Sequence, residues 1–493
     1  MSPGLVFTVI AAYFVVLLTI SYFTSRNADS TTFFTGNRQS PWYLVAFGMI
    51  GASLSGVTFI SVPGEVGNSQ FSYFQMVLGF VPGYAFIALV LMPLYYRLKL
   101  VSIYGYLEQR FGFFSYKTGA FFFLLSRLIG SAFRLFLVAG VLQIAFFDSF
   151  NLPFWFTVAV TILLIWLYTF QAGIKTIVWT DTLQTLFMLT AVVVSIHLIG
   201  KELELSVGGL VQVIQDSEMS QIFFWDWQSG KNFFKQFLAG AFIAIVMTGL
   251  DQDMMQKNLT IKTLADAQKN VQWFTIVLLI ANILFLSLGA LLFMYAQAKN
   301  IDIPARTDDL FPTLAVNHFS VYAGIIFLLG IIAAAYSSAD SALTALTTSF
   351  CVDFLGIGED KTTDRDEAKN KLDNTTRKRV HVMFSVLLFV VILIFNAIND
   401  QSVITAVYRV AGYTYGPLLG LYAFGLYTKM HVNDRLVPWV CVLSPVLCFV
   451  LDSNSVQWFN GFKFGFFILI VNGLLTFLGL LLIRRPADSS VPS

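Results

Sequence analysis

The sequence predicts an all-α protein that crosses a membrane about thirteen times. Three observations carry this. Of the 493 residues, 57% are hydrophobic and only 12% charged, about half the charged fraction of an ordinary soluble domain. Thirteen apolar runs of roughly bilayer length recur along the chain. None shows the ten-residue alternation that a transmembrane barrel requires. Backbone polar groups in lipid must be satisfied within the segment, so the runs read as helices.

The spans fall near 4–23, 42–63, 72–96, 118–147, 153–171, 176–200, 234–250, 273–297, 321–349, 380–398, 403–427, 436–452 and 465–483. The first lacks a basic leader and a small-residue cleavage site, so it reads as a retained helix rather than a signal peptide. Thirteen crossings put the termini on opposite sides. With the N-terminus outside, the inner loops carry 21 of the 30 Lys and Arg, Lys257 among them, and the outer loops six; Arg127, Arg134 and Arg409 lie within spans. A basic excess marks the inner side, which gives an N-out, C-in protein of the inner or plasma membrane. The inner loop 351–378, with seven acidic and six basic residues, reads as a solvated connection. The tail after Ile483 is too short to carry a soluble domain.

A net charge of +2 offers no footprint for nucleic acid. Cys351, Cys441 and Cys448 lie in or beside apolar runs and make no disulfide or metal framework. The four histidines (His197, His318, His381, His431) are scattered without metal-ligand spacing, and no nucleophile–base pair stands out. An enzyme is not expected.

Two spans carry polar patches. One is Gly51-Ala52-Ser53-Leu54-Ser55-Gly56-Val57-Thr58; the other is Ala333-Ala334-Ala335-Tyr336-Ser337-Ser338-Ala339-Asp340-Ser341. Positions 334, 337, 338 and 341 share one helical face, which reads Ala, Ser, Ser, Ser. Such a face suits close packing between helices. It equally suits a hard cation, which takes hydroxyl and carbonyl oxygens. Gly48, Gly51 and Gly56 weaken the first patch as a helix, and carbonyls freed there could complete a cation site. Together the patches suggest the two halves of an ion and solute site.

Several motifs, in order along nearly the whole chain, resemble the sodium/solute symporter family. They are Tyr106-Leu107-Glu108 with Arg110-Phe111-Gly112; Tyr168-Thr169, Ala172-Gly173-Ile174-Lys175, Trp179-Thr180-Asp181 and Gln184; the Ser337-Ser338 helix; and Gly412-Tyr413-Thr414-Tyr415-Gly416-Pro417-Leu418-Leu419-Gly420. The resemblance implies a leucine-transporter-type core of two five-helix repeats of inverted topology. Residues 1–40 would precede it, 41–200 and 234–428 would form the repeats, and 429–493 two further helices and a tail. Each repeat would open on a broken helix, with solute and ion held at the break.

The resemblance also implies roles. Gly51, Leu54 and Ala334 would give sodium their carbonyls, and Ser337 and Ser338 their hydroxyls. In some members an Asp at the position of Asp181 helps hold a second cation; here Ser53, Ser337 and Ser341 would be its companions. Asp181 lies about 9 Å into its span at 1.5 Å per residue, and could instead cap the start of its helix. Asp340 departs from the pattern, standing where those members have Ser. It could strengthen the second site, take a proton, or pair with Arg127 or Arg134.

Ser55 and Thr58, one turn apart at the suspected break, suit a carboxylate or a sugar hydroxyl. Arg134, mid-span, needs a partner or a purpose; it could hold a carboxylate bidentately or pair with Asp340. In sialic-acid members the matching Arg, Ser and Thr bind the carboxylate, and Gly56 replaces a further hydroxyl used there. In galactose and glucose members the Thr58 position is Gln. Ser55-Gly56-Val57-Thr58-Phe59 also resembles the iodide, monocarboxylate and vitamin branch. Phe74, Gln75 and Tyr415 are further cavity candidates, and Arg409 could serve a gate. The expected function is sodium-coupled import of a small polar organic solute by a monomer in the bilayer. Proton coupling through Asp181 or Asp340, and a non-transporting membrane sensor, are the alternatives.

Overall fold

The computed structural model describes residues 3–25, 40–100, 102–169, 174–357, 367–398 and 402–485. Motif residues 172–173 and residues 358–366 of the loop 351–378 lie outside them. The described chain is mostly helical. Its main helices are α1 (Pro3–Ser25), α2 (Trp42–Ser53), α3 (Gly56–Ser69), α4 (Tyr73–Phe86), α5 (Phe113–Ala145), α6 (Phe154–Thr169), α7 (Ile174–Glu202), α8 (Phe233–Ala244), α9 (Gln252–Leu259), α10 (Leu264–Ala298), α11 (Val321–Ser349), α12 (Glu367–Ile398), α13 (Val403–Thr414), α14 (Gly416–Tyr427), α15 (Val437–Ser453) and α16 (Ile468–Leu482). Among the described residues, eight continuous helical segments are long and apolar enough to cross a membrane, and the bent pair α8–α9 makes a ninth. The all-α expectation has one small exception: His431–Val432 pairs antiparallel with Arg484–Arg485.

Two breaks organise the interior. α2 stops at Ser53, Leu54 turns away (φ −79°, ψ 68°), and Ser55 is extended before α3 begins. The backbone ladder passes from Leu54 N–H→Ile50 O to Phe59 N–H→Ser55 O. The carbonyls of residues 51–54 therefore fall in the gap, off the ladder. α3 then ends at Gln70, in the left-handed region (φ 57°), and α4 departs in a new direction.

The second break comes after a π-helical turn, Ile245–Gly249, at the end of α8. Asp251 is extended and caps α9, its carboxylate accepting from the amides of Asp253 and Met254. α9 runs at 64° to α8. The carbonyls released there are not left bare: Tyr95 Oη donates to Gly249 O (2.8 Å) and Tyr104 Oη to Leu250 O (3.0 Å). The apolar pattern alone ends this span at 250 and puts residues 251–259 in an inner loop. The structure corrects that, because α9 is a helix buried almost throughout.

α4 and α8 meet backbone to backbone. A Cβ at Gly79 would stand 2.0 Å from Phe237 O, and one at Gly240 would stand 2.0 Å from Met76 O. Near the C-terminal motif, α13 gives way to α14 at Tyr415, and Pro417 opens the new helix where a missing amide costs nothing. Asn472 of α16 donates to Gly412 O (3.0 Å) and Tyr413 O (2.8 Å) there. The Arg110 motif is also structural: its guanidinium donates to Thr428 O and Met430 O, each at 2.9 Å, tying down the end of α14.

Candidate ion and solute site

The α2–α3 break faces α7 and α11. Gly51 lies against α7 so closely that a Cβ would sit 2.2 Å from Thr185 Oγ1 and 3.2 Å from Asp181 O. Across the gap, Ser338 Oγ of α11 donates to Ala52 O at 3.4 Å. Ser337 Oγ, one residue earlier, donates to Asp181 Oδ1 at 2.6 Å. Ala334, Ser337 and Ser338 are all buried. Hydroxyls from α11 thus converge with off-ladder carbonyls at the break. This all-oxygen donor set fits a hard monovalent cation. Gly51 and Leu54 lie at the break and Ser338 reaches it, Ser337 turns to Asp181, and Ala334 lies one turn before Ser338 on α11.

The residues expected around a second cation are arranged differently. Asp181 is fully buried on α7, well inside the helix and not at its cap. Its Oδ2 accepts from Lys257 Nζ of α9 at 2.8 Å, with side chains 0% and 1% exposed. Lys257, an inner-loop charge by sequence pattern, is therefore a buried cation. Ser53 instead faces a central cavity together with Tyr84. Ser341 N–H donates to Asp340 Oδ1 at 2.5 Å, while Ser341 Oγ is buried without a partner among the described residues. Asp340 lies within electrostatic reach of Lys257.

That cavity, of about 70 Å³, sits beside the α2–α3 break. Its polar wall includes Ser53, Thr58, Tyr84, Arg134, Thr248 and Asn282. Asn282 Oδ1 is buried and unpartnered among the described residues. The two arginines of α5 differ sharply. Arg127 pairs with Asp253 and lies 3.8 Å from Asp251, whose Oδ2 also accepts from Tyr415 Oη at 2.8 Å. Arg134, two turns on, has no carboxylate of the described residues within the 4.0 Å of an ion pair, Asp340 included. It points a full charge at the cavity. Its suggested pairing with Asp340 does not occur, and Arg127 takes Asp253 and Asp251 instead.

Ser55 is buried at the start of α3, in the extended conformation that ends the break, while Thr58 reaches the cavity. Phe74 and Gln75 lie away from it. Gln75 Nε2 donates to Lys231 O (2.9 Å) and its Oε1 accepts from Phe224 N–H (3.1 Å), fastening the segment between α7 and α8. The neighbour, Tyr73, is the cavity residue. Its hydroxyl meets that of Tyr408 at 3.0 Å. Tyr73 also lines a second, larger cavity of about 440 Å³ with Glu65, Lys231, Arg409, Asp452 and Lys463. Tyr73 thus lines both cavities, and Tyr408 the smaller one. Arg409 lines the larger cavity.

Sequence reasoning missed Asp251, Asp253, Lys257, Tyr73, Tyr408 and Asn282. One signal was available. Arg127 and Arg134 are intramembrane charges, and such a charge needs a partner. Asp251 and Asp253 are an acidic pair at the end of the apolar run 234–250.

Helices broken beside a buried site of oxygen donors, next to a small polar cavity, define an ion-coupled secondary transporter. Residues 33–435 match the model of the sodium:solute symporter family, and the chain belongs to that family. Sodium is that family's coupling ion. Among its relatives, the sodium/sialic acid symporter NanT of Aliivibrio fischeri is 23% identical over 92% of this chain and 89% of its own. The human sodium/iodide cotransporter is 25% identical over 82% of this chain and 61% of its own. A substrate-bound, outward-open structure of a Na+-coupled sialic acid symporter superposes with a TM-score of 0.80 at 19% identity, covering 97% of this chain and 98% of that one. Mhp1, a nucleobase-cation-symport-1 family transporter, superposes with a TM-score of 0.56 at 14% identity, over 92% and 94%.

Proposed function

We propose that this symporter imports a small, polar, carboxylate-bearing solute, such as a sugar acid or a monocarboxylate, with sodium by alternating access. The observation that carries the reading is Arg134: a half-buried guanidinium without an ion-pair partner among the described residues, lining a cavity beside the helix break. A solute carboxylate would complete it bidentately. Thr58 and Asn282 would take the solute's hydroxyls. Sodium would bind between the 51–54 carbonyls and the Ala334, Ser337 and Ser338 face, holding the break in the shape that the solute needs.

The helix order supports two inverted five-helix repeats, 41–200 and 234–428, within thirteen crossings, each repeat opening on a broken helix (α2–α3 and α8–α9). The basic bias supports an N-out, C-in monomer in a cell membrane, even with Lys257 moved from the loops to the interior. On that orientation the chamber holding Lys231 and Lys463 faces outside, and Tyr73 and Tyr408 form the outer gate. The sialic acid, monocarboxylate and iodide relatives favour an anionic solute. A tenfold sodium gradient supplies about 1.4 kcal/mol per ion, and 100 mV adds about 2.3 kcal/mol per net charge moved.

The test is sodium-driven uptake into proteoliposomes. Sialic acid, other sugar acids and monocarboxylates are compared with neutral monosaccharides. Uptake of an acid in sodium and not in potassium is expected. Sodium-driven uptake of neutral sugars alone would overturn the anion reading. Uptake driven only by a pH gradient would overturn sodium coupling.

A further inference from the structure

We infer that the ammonium of Lys257 fills the second cation position of this transporter, so that each chain binds one sodium. The inference rests on the sodium-symport reading and deepens it.

Asp181 is the carboxylate beside the α2–α3 break, and neighbouring helices fix the partners of both its oxygens. Oδ1 accepts from Ser337 Oγ (2.6 Å) and Oδ2 from Lys257 Nζ (2.8 Å). A second sodium at Asp181 would have to share this carboxylate with the ammonium. Two adjacent cations in a water-poor interior would share one carboxylate, and the repulsion there is unscreened. A lysine ammonium is a compact point charge and supplies there what a bound cation would supply.

The fold also builds Lys257 in place. Asp251 caps α9, and the 64° bend turns that helix back into the protein. Lys257 stands one turn beyond Asp253, which Arg127 holds. The ammonium is tethered to α9 and Asp181 to α7, and Ser337 links the same carboxylate to α11. Three elements that a free cation would have to bridge are therefore already bridged by side chains of the protein itself. Of the other expected members of a second site, Ser53 is turned to the cavity.

The experiment is equilibrium binding of ²²Na⁺ to the purified full chain in detergent, with no solute. Wild type is expected to saturate at one ion per chain with a Hill coefficient of about 1. Lys257→Ala frees Asp181 and is expected to bind two ions, with a Hill coefficient above 1. The paired variant Asp181→Asn/Lys257→Met removes both charges together. It is expected to fold and to bind one ion within about threefold of the wild-type affinity, which keeps the test open if Lys257→Ala does not fold. Two ions on wild type, one ion on a folded Lys257→Ala, or no ion on the paired variant each overturn the inference. No sodium on wild type would overturn the symport reading as well, so the two failures are distinguishable.

Discussion

Replacing the two arginines of α5 one at a time should produce opposite outcomes. Arg127 neutralises Asp253 and faces Asp251. Arg127→Met leaves those buried carboxylates without their cation, a loss of about 3–5 kcal/mol when one partner of a buried pair is removed. The variant should melt well below wild type whether or not solute is present. Arg134 has no such partner among the described residues, and Arg134→Met removes an uncompensated charge from the cavity wall. Its solute-free melting temperature should equal or exceed that of wild type. Solute binding should change in the other direction: losing a desolvated, hydrogen-bonded charge from a site costs about 2–5 kcal/mol, or about 30-fold to several thousand-fold in affinity. The assay is thermal melting of the purified variants in sodium, titrated with a panel of carboxylates and their uncharged amides. The reasoning is refuted if Arg134→Met destabilises the solute-free protein as much as Arg127→Met does. Retention of carboxylate binding by Arg134→Met would refute it equally.

Three other perturbations test the geometry. Gly51→Ala places a Cβ 2.2 Å from Thr185 Oγ1; overpacking of this kind costs about 1–3 kcal/mol. Sodium binding by isotherm should weaken at least tenfold, and Gly51→Ala/Thr185→Ala should recover much of it. Tyr408→Phe removes the hydroxyl contact with Tyr73, worth about 0.5–1.5 kcal/mol. A Thr58→Cys reporter should then react about 2- to 10-fold faster with an impermeant thiol reagent added outside, and an unchanged rate would refute the gate. Burial raises the Asp308 carboxyl to about 6, although Val403 N–H donates to it. The unfolded chain has a value near 3.9, so between about pH 4 and 6 the folded chain keeps a proton that the unfolded chain has lost. This group's stability is complete below about pH 4 and is lost as pH rises through 6. Asp308→Asn should flatten that part of the melting-temperature profile and raise stability at pH 8 by up to about 3 kcal/mol.

The all-helical, membrane-spanning class and the first break were legible because both are local. Apolar run length sets the helices, and Gly48, Gly51 and Gly56 announce a weakness that the structure places at Leu54–Ser55. The hydroxyl face of α11 was legible from helical periodicity alone. The second break was not. Asp251-Gln252-Asp253 reads as the start of a polar loop, and only the burial of α9, set by packing from distant helices, makes it an intramembrane helix. Lys257 reads as a loop residue for the same reason: its partner Asp181 is 76 positions away. Gln75 shows the converse. A polar residue beside a break looks like a site residue, yet its amide is spent fastening Lys231 and Phe224. Periodicity says which face is polar, but only tertiary contacts say whether that polarity is already satisfied.

The measurement closest to the central claim is the melting temperature of the purified protein in sodium against equal potassium, for wild type and Ser338→Ala. The account predicts stabilisation of wild type by sodium and not by potassium. It predicts that the sodium midpoint shifts at least tenfold in Ser338→Ala, since a hydrogen-bonding group lost to a charge costs about 1.5–3 kcal/mol. Equal melting of wild type in the two salts, or an unchanged sodium midpoint in Ser338→Ala, would contradict a sodium site between the α2–α3 break and α11.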